Sequence, residues 1–121
     1  MINNIGFMQG RLCDQVDGMI QAFPWKDWEK EFKTASEIGI NLMEWTIDFK
    51  NLNENPLMQK EGRIEISNLS KKYSVKINSL TGDCFMQKPF WKSSGSEKEN
   101  LRKDFLSICK ACSALGIRII V

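Results

Sequence analysis

Polar side chains able to do chemistry stand at or just beyond the ends of short apolar runs: Gln9 and Arg11 after Ile5 to Met8, Glu44 and Asp48 along and after Ile40 to Trp45, and Asn78 and Asp83 around Val75 to Leu80. Arg11 is a planar, permanently charged fork that matches a phosphate or carboxylate. Gln9 and Asn78 can donate to and accept from hydroxyl groups, while Glu44 could bond a hydroxyl or move a proton. Glu44 is the sharpest candidate, because a carboxylate between Met43 and Trp45 at a buried strand end needs a partner or a task. Arg11 also has a plainer reading, an ion pair with Asp14 or Asp17 on a solvated loop. Histidine is absent from the chain. That removes the commonest general base, Ser-His and Cys-His nucleophile pairs, and every His-containing metal site.

The elements that must position these groups follow from periodicity. Ile5 to Met8 reads as a strand and the Gly10 region behind it as a loop. Between Trp25 and Ile38 the apolar positions Trp28, Phe32, Ala35 and Ile38 recur at helical spacing, with Pro24 suited to a first turn and Gly39 to a left-handed stop. A second strand runs from Ile40 to Trp45, and Asp48 to Pro56 cannot continue it. Gly62 to Tyr73 predicts a second helix and Val75 to Leu80 a third strand, ended by Thr81-Gly82-Asp83. Ser96-Glu97-Lys98-Glu99 has the form of a capping box opening a third helix, whose stripe Leu101, Phe105, Ile108, Cys109, Cys112 and Leu115 is closed by Gly116. Ile117 to Val121 then predicts a largely buried fourth strand.

Strict alternation of strand and helix demands parallel pairing with right-handed crossovers, so the fold class is α/β. Strands entering near Ile5, Leu42, Val75 and Ile117 recur at a spacing that would give a chain of roughly 300 residues for eight units, within the range of a (β/α)8 barrel. The Gly-x-Gly-x-x-Gly fingerprint that often follows the first strand of a doubly wound sheet is missing. A parallel strand with no helix behind it leaves a face uncovered and an edge unpaired, which predicts a truncated barrel. At 121 residues the expectation is one partial domain over 1–121.

Ile5 to Leu12, Ile20 to Trp25, Met43 to Trp45 with Asp48, Asn55 to Leu57, and Ile77 to Ser79 with Asp83 resemble, in order and spacing, the front half of sugar phosphate isomerase/epimerase proteins of the xylose isomerase-like TIM-barrel superfamily. The resemblance covers nearly the whole chain; Met-Gln-Gly-Arg-Leu and Gln-Ala-Phe-Pro-Trp are its most specific pieces. It implies the first half of a (β/α)8 TIM barrel whose divalent metal is held by ligands near later strand ends, so this chain would bind no metal by itself. It also implies a sugar or sugar-phosphate substrate, proton transfer beside a carbonyl, Glu44 as the catalytic candidate, and substrate contacts from Gln9, Arg11, Phe23, Trp25, Asn78 and Asp83. Phe23 and Trp25 enter as faces on which a sugar could stack, while Trp28, Phe32 and Trp45 read as core. The isolated half is expected to be inactive. The alternatives are an inert half-barrel fragment, or a module that self-associates through its exposed strand edges.

Charge and cysteine placement narrow the remaining classes. The net charge is +2 with the basic residues scattered, which argues against nucleic acid and against the repair endonucleases that share the superfamily fold. No apolar run approaches a membrane span and the start lacks the pattern of a signal peptide, so no membrane contact and a cytoplasmic setting are expected. Cys109 and Cys112 lie on the apolar stripe near one helix end, whereas Cys13 and Cys84 follow strands. A helix rising about 1.5 Å per residue would hold the two pairs too far apart for one zinc ion, so reduced core thiols are the expectation.

Overall fold

The structure, a computed structural model, describes residues 5–121. In chain order the elements are β1 (Gly6–Met8), α1 (Trp28–Glu37), β2 (Leu42–Thr46), α2 (Lys60–Tyr73), β3 (Lys76–Thr81), α3 (Asp83–Gln87), α4 (Gly95–Leu115) and β4 (Ile119–Ile120), with 3-10 turns at Leu52–Glu54, Pro56–Met58 and Phe90–Lys92. The strands form one sheet in the order β1-β2-β3-β4 with every neighbouring pair parallel. The class is therefore α/β, as the alternation of periods predicts.

Strand alternation assigns the two faces of the sheet. Phe7 pairs with Met43 and Met43 with Ile77, while Trp45 pairs with Leu80, and these residues join one apolar cluster with Trp28, Phe32, Ala35, Ile66, Ile108 and Cys112 from α1, α2 and α4. All three long helices thus cover the same face. On the other face lie Met8, Glu44 and Ser79, which share a row across three strands, and Ile119 continues that row from β4. A register shift opposite Met43 and Glu44 leaves Asn78 as an extra residue between the Ile77 and Ser79 partners. The loop after β2 is fixed by Asn55, whose Oδ1 accepts from Trp45 Nε1 at 3.1 Å and Leu57 N at 3.0 Å while its Nδ2 donates to Thr46 O at 3.3 Å. α2 follows through a tight approach at Gly62, where a Cβ would stand 2.1 Å from Pro56 O.

Several local expectations are corrected. Helix α1 begins at Trp28, so Pro24 is outside its first turn; its carbonyl instead accepts from Asp27 N at 3.1 Å in the turn ahead of the helix. The capping box does not form: Ser94 precedes the helix and its carbonyl accepts from Lys98 N, so Ser96 already has helical backbone and cannot take the extended conformation of a cap. The fourth strand is shorter and less buried than predicted, with Ile119 58% and Val121 69% exposed, because nothing among the described residues covers the face they share with Ser79. Helix α3 was hidden by Thr81-Gly82-Asp83, which signals a turn without revealing that a helix follows directly.

Candidate functional site

The carboxyl ends of β1, β2 and β3 come together, and a hydrogen-bonded chain of side chains links them. Arg11 Nη2 donates to Gln21 Oε1 at 2.8 Å, and Gln21 Nε2 donates to Asp83 Oδ2 at 2.9 Å. Gln21 therefore joins the loop after β1 to the first residue of α3. Beside this chain, Asp48 accepts from Phe23 N and from Gln87 Nε2, both at 2.9 Å, and Gln87 Oε1 accepts from Phe49 N at 2.8 Å. Glu44 lies on the open face of the sheet, half-buried, and accepts from Ser79 Oγ at 2.7 Å and from Thr81 Oγ1. β-Strand pairing explains this contact, since Ser79 is the register partner of Glu44 and Thr81 lies two residues further along the same face.

Electrostatics couples the members. Burial pushes the Asp83 carboxyl above its usual range; the Gln21 hydrogen bond opposes this, the negative charge of Asp48 adds to it, Arg11 opposes it, and Glu44 adds to it. Asp48, Arg11 and Glu44 are thus all close enough for their charges to act on Asp83. Adjacent to it is a cavity of about 300 Å³ lined in part by Gln21, Trp25, Asp48, Lys50 and Gln87. A second cavity, of about 340 Å³, lies over the open sheet face against Met8, Leu42, Glu44 and Ser79. Paired amide and carboxylate groups around concave surfaces are suited to a hydroxyl-rich ligand, and the exposed Arg11 adds the means to hold an anionic group.

Arg11, Glu44, Asp48 and Asp83 are gathered at this end of the sheet; the other predicted residues are distributed differently. Gln9 is 1% exposed, its Oε1 accepting from Thr46 N at 3.0 Å, and its Nε2 has no partner among the described residues. It ties β1 to β2 and offers the rim no free acceptor. Phe23 is completely buried, stacked edge-on against Trp25 and tilted against Trp45, so it is core and cannot present a face to a sugar. Trp25 is 39% exposed and lines the smaller cavity. Asn78 sits mid-strand at the bulge, on the open face, one step towards the amino end from the Glu44 and Ser79 row. Gln21 and Gln87 were not singled out as site residues because the apolar runs before them, Met19-Ile20 and Cys84-Phe85-Met86, are too short to read as strands. Glu31 escaped it too, although its position three residues after Trp28 and four before Ala35 puts it on the apolar stripe of α1.

Among the described residues no three His, Cys, Asp or Glu side chains are grouped so as to hold a metal ion. The acidic members of the cluster are already engaged, Asp48 by two N–H donors and Glu44 by two hydroxyls, and they do not fit a divalent cation unaided. The four cysteines are free thiols. Burial, reinforced by Glu31, raises Cys13 to about 11, and burial raises Cys84 to about 12 and Cys112 to about 11, so these three stay protonated at neutral pH and are poor nucleophiles. No helix among the described residues is long and apolar enough to cross a membrane. No family model and no curated protein matches the sequence.

Proposed function

We propose that the chain is the first half of a (β/α)8 barrel and supplies the substrate-facing rim of a sugar or sugar-phosphate isomerase/epimerase. A strand order that follows the chain, with every long helix on one face, is what consecutive sectors of such a barrel have; an open doubly wound sheet reverses its order and carries helices on both faces. The observation that carries the functional reading is the Arg11–Gln21–Asp83 chain, which joins loops after the first and third strands at the carboxyl end of the sheet, where barrel enzymes bind their substrates. In this reading Arg11 takes the phosphate or the ketose oxygen edge, and Gln21 and Asp83 take hydroxyls. Glu44 faces the reacting carbons, its carboxylate oriented by Ser79 and Thr81. A divalent metal, if residues outside this chain held one, would supply polarisation of the carbonyl; the chain alone binds sugar without turning it over, and works in the cytoplasm.

A ketose and ketose-phosphate titration followed by amide NMR tests this. The expected result is saturable shifts at residues 9–12, 21, 44–48 and 81–87, with Arg11→Ala weakening a phosphate-bearing ligand by roughly 10- to 100-fold, the worth of a charge-assisted hydrogen bond. Absence of localised shifts with every sugar tried would remove the reading. The exposed Ile119 and Val121 favour a second reading beside it: two copies pair through the edges of β1 and β4 and cover each other's open faces.

A further inference from the structure

Glu31 is the most deeply buried ionisable side chain of α1, 0% exposed between Trp28, Phe32 and Ala35, and the rim chemistry does not use it. Its carboxylate turns away from the apolar cluster towards the loop after β1. Gly10 N donates to both oxygens, at 2.9 Å each, and Leu12 N donates to Oε2 at 3.0 Å. The residue between these two donors is Arg11. Gly10 adopts φ +95°, a conformation that aims its N–H at α1, and Ala22 O stands 2.9 Å from where a Cβ would be. No lysine or arginine pairs with Glu31 among the described residues. The ionisable groups that act on it are Asp27 on its own helix and the Cys13 thiol on the loop, a hydrogen-bonding partner, and neither is a counter-charge. Burial pushes its carboxyl up against the pull of the Gly10 and Leu12 hydrogen bonds. An apolar residue at this point of the stripe would avoid the desolvation cost altogether. What a carboxylate adds is the two amides that flank one side chain.

We propose that Glu31 is a positioning residue for Arg11: by holding the Arg11–Leu12 peptide through Leu12 N and anchoring the loop one peptide further back through Gly10 N, the buried carboxylate sets, together with Met8 O, the direction in which the guanidinium leaves the loop and so its contact with Gln21. Arg11 N donates to Met8 O at 3.2 Å and Leu12 N to Glu31, so the peptide planes before and after Arg11 are both fixed, the second of them by Glu31; together they determine its Cα–Cβ direction and leave Arg11 only its own rotamers to search. The interaction with Gln21 at 2.8 Å, on an otherwise exposed and long side chain, is the product of that restriction.

The test compares the wild type with Glu31→Gln, which puts an amide donor against an N–H, and Glu31→Leu, which keeps the volume and removes both acceptors. In the ligand-free protein, hydrogen exchange of the Gly10 and Leu12 amides is expected to speed up by at least about tenfold in both variants. The ladder amides between β2 and β3 should keep their protection, and the Arg11 guanidinium NMR signals should collapse to those of a solvated arginine. Unchanged Gly10 and Leu12 exchange, or an Arg11 signature that survives, would overturn the proposal, as would an equal loss of protection at the β2–β3 ladder, since that reports global destabilisation. If the leucine variant does not fold, the glutamine variant decides by the same readouts. The proposal rests on the proposed function only for a last measurement: Glu31→Leu should weaken a ketose phosphate as much as Arg11→Ala does, and the double variant should be no weaker than either. Additive losses would count against it, whereas the ligand-free results hold or fail whether or not any sugar binds.

Discussion

Glu44 keeps both carboxylate oxygens against hydroxyls of the next strand, so the rest of its lone pairs, on the open side of the sheet, are what a ligand would meet. Removing one hydroxyl should be felt in the fold before it is felt in chemistry: Thr81→Val is expected to cost about 1–2 kcal/mol, read as a lower urea midpoint with an unchanged slope. Glu31 has the opposite balance. Burial lifts its folded-state value above the ordinary 4.5, so the native protein retains a proton that the unfolded chain has already released. Its contribution is full below 4.5 and is lost as pH rises through the raised folded value. Denaturation of the wild type and Glu31→Gln across this range should therefore show a descent with pH in the wild type that is shallower in the variant. Asp83, raised in the same direction, adds a slope of the same sign to both proteins and cancels in the comparison. Arg11 and Asp83 were legible in the sequence as polar groups just beyond strand ends, whereas Glu44, expected at a strand end, stands in the middle of β2, and Phe23 was misread because aromatic identity does not say which side of a loop faces the core.

At the scale of elements, the connections carry more of the specification than their composition suggests. Asn55 holds the Trp45 indole, the Leu57 amide and the Thr46 carbonyl together, and Asn55→Ala would strand a buried indole N–H. A loss of about 2–3 kcal/mol is expected by chemical denaturation, with blue-edge tryptophan fluorescence shifting red. Gly62→Ala should cost about 1–3 kcal/mol or more by the same measurement, since the added methyl meets the Pro56 backbone and not a movable side chain. Long amphipathic stretches declared α1, α2 and α4, because burying one stripe dominates their energetics. Their starts were harder. Ser96 with Glu99 has the composition of a cap, but the helical hydrogen bonding already opens at Ser94, and a side-chain pattern cannot report the φ and ψ that a cap requires. The bulge at Asn78 and the three 3-10 turns left no periodic trace for the same reason: each depends on a handful of dihedrals.

For the whole molecule, the parallel α/β plan and an uncovered face were legible in the sequence, but the exposure of the last strand was not, because burial of a strand such as Ile117 to Val121 depends on what lies above it. If two copies cover that face, Ile119→Lys should move the sedimentation profile from dimer to monomer while circular dichroism stays constant; a wild type that sediments as a monomer at every concentration would remove the pairing. The strand order has a kinetic corollary as well. Each strand bonds only to its predecessor and successor in the chain, as in Phe7 with Met43, Met43 with Ile77 and Leu80 with Ile120, so every closure spans a similar few tens of residues at a nearly equal entropic cost. Whichever ladder is strongest then sets the nucleus, and the five pairs between β2 and β3 exceed the three of β1 and the two of β4. Folding should condense from the middle outwards, leaving the arginine-bearing loop among the last parts to consolidate and the first to be sampled open.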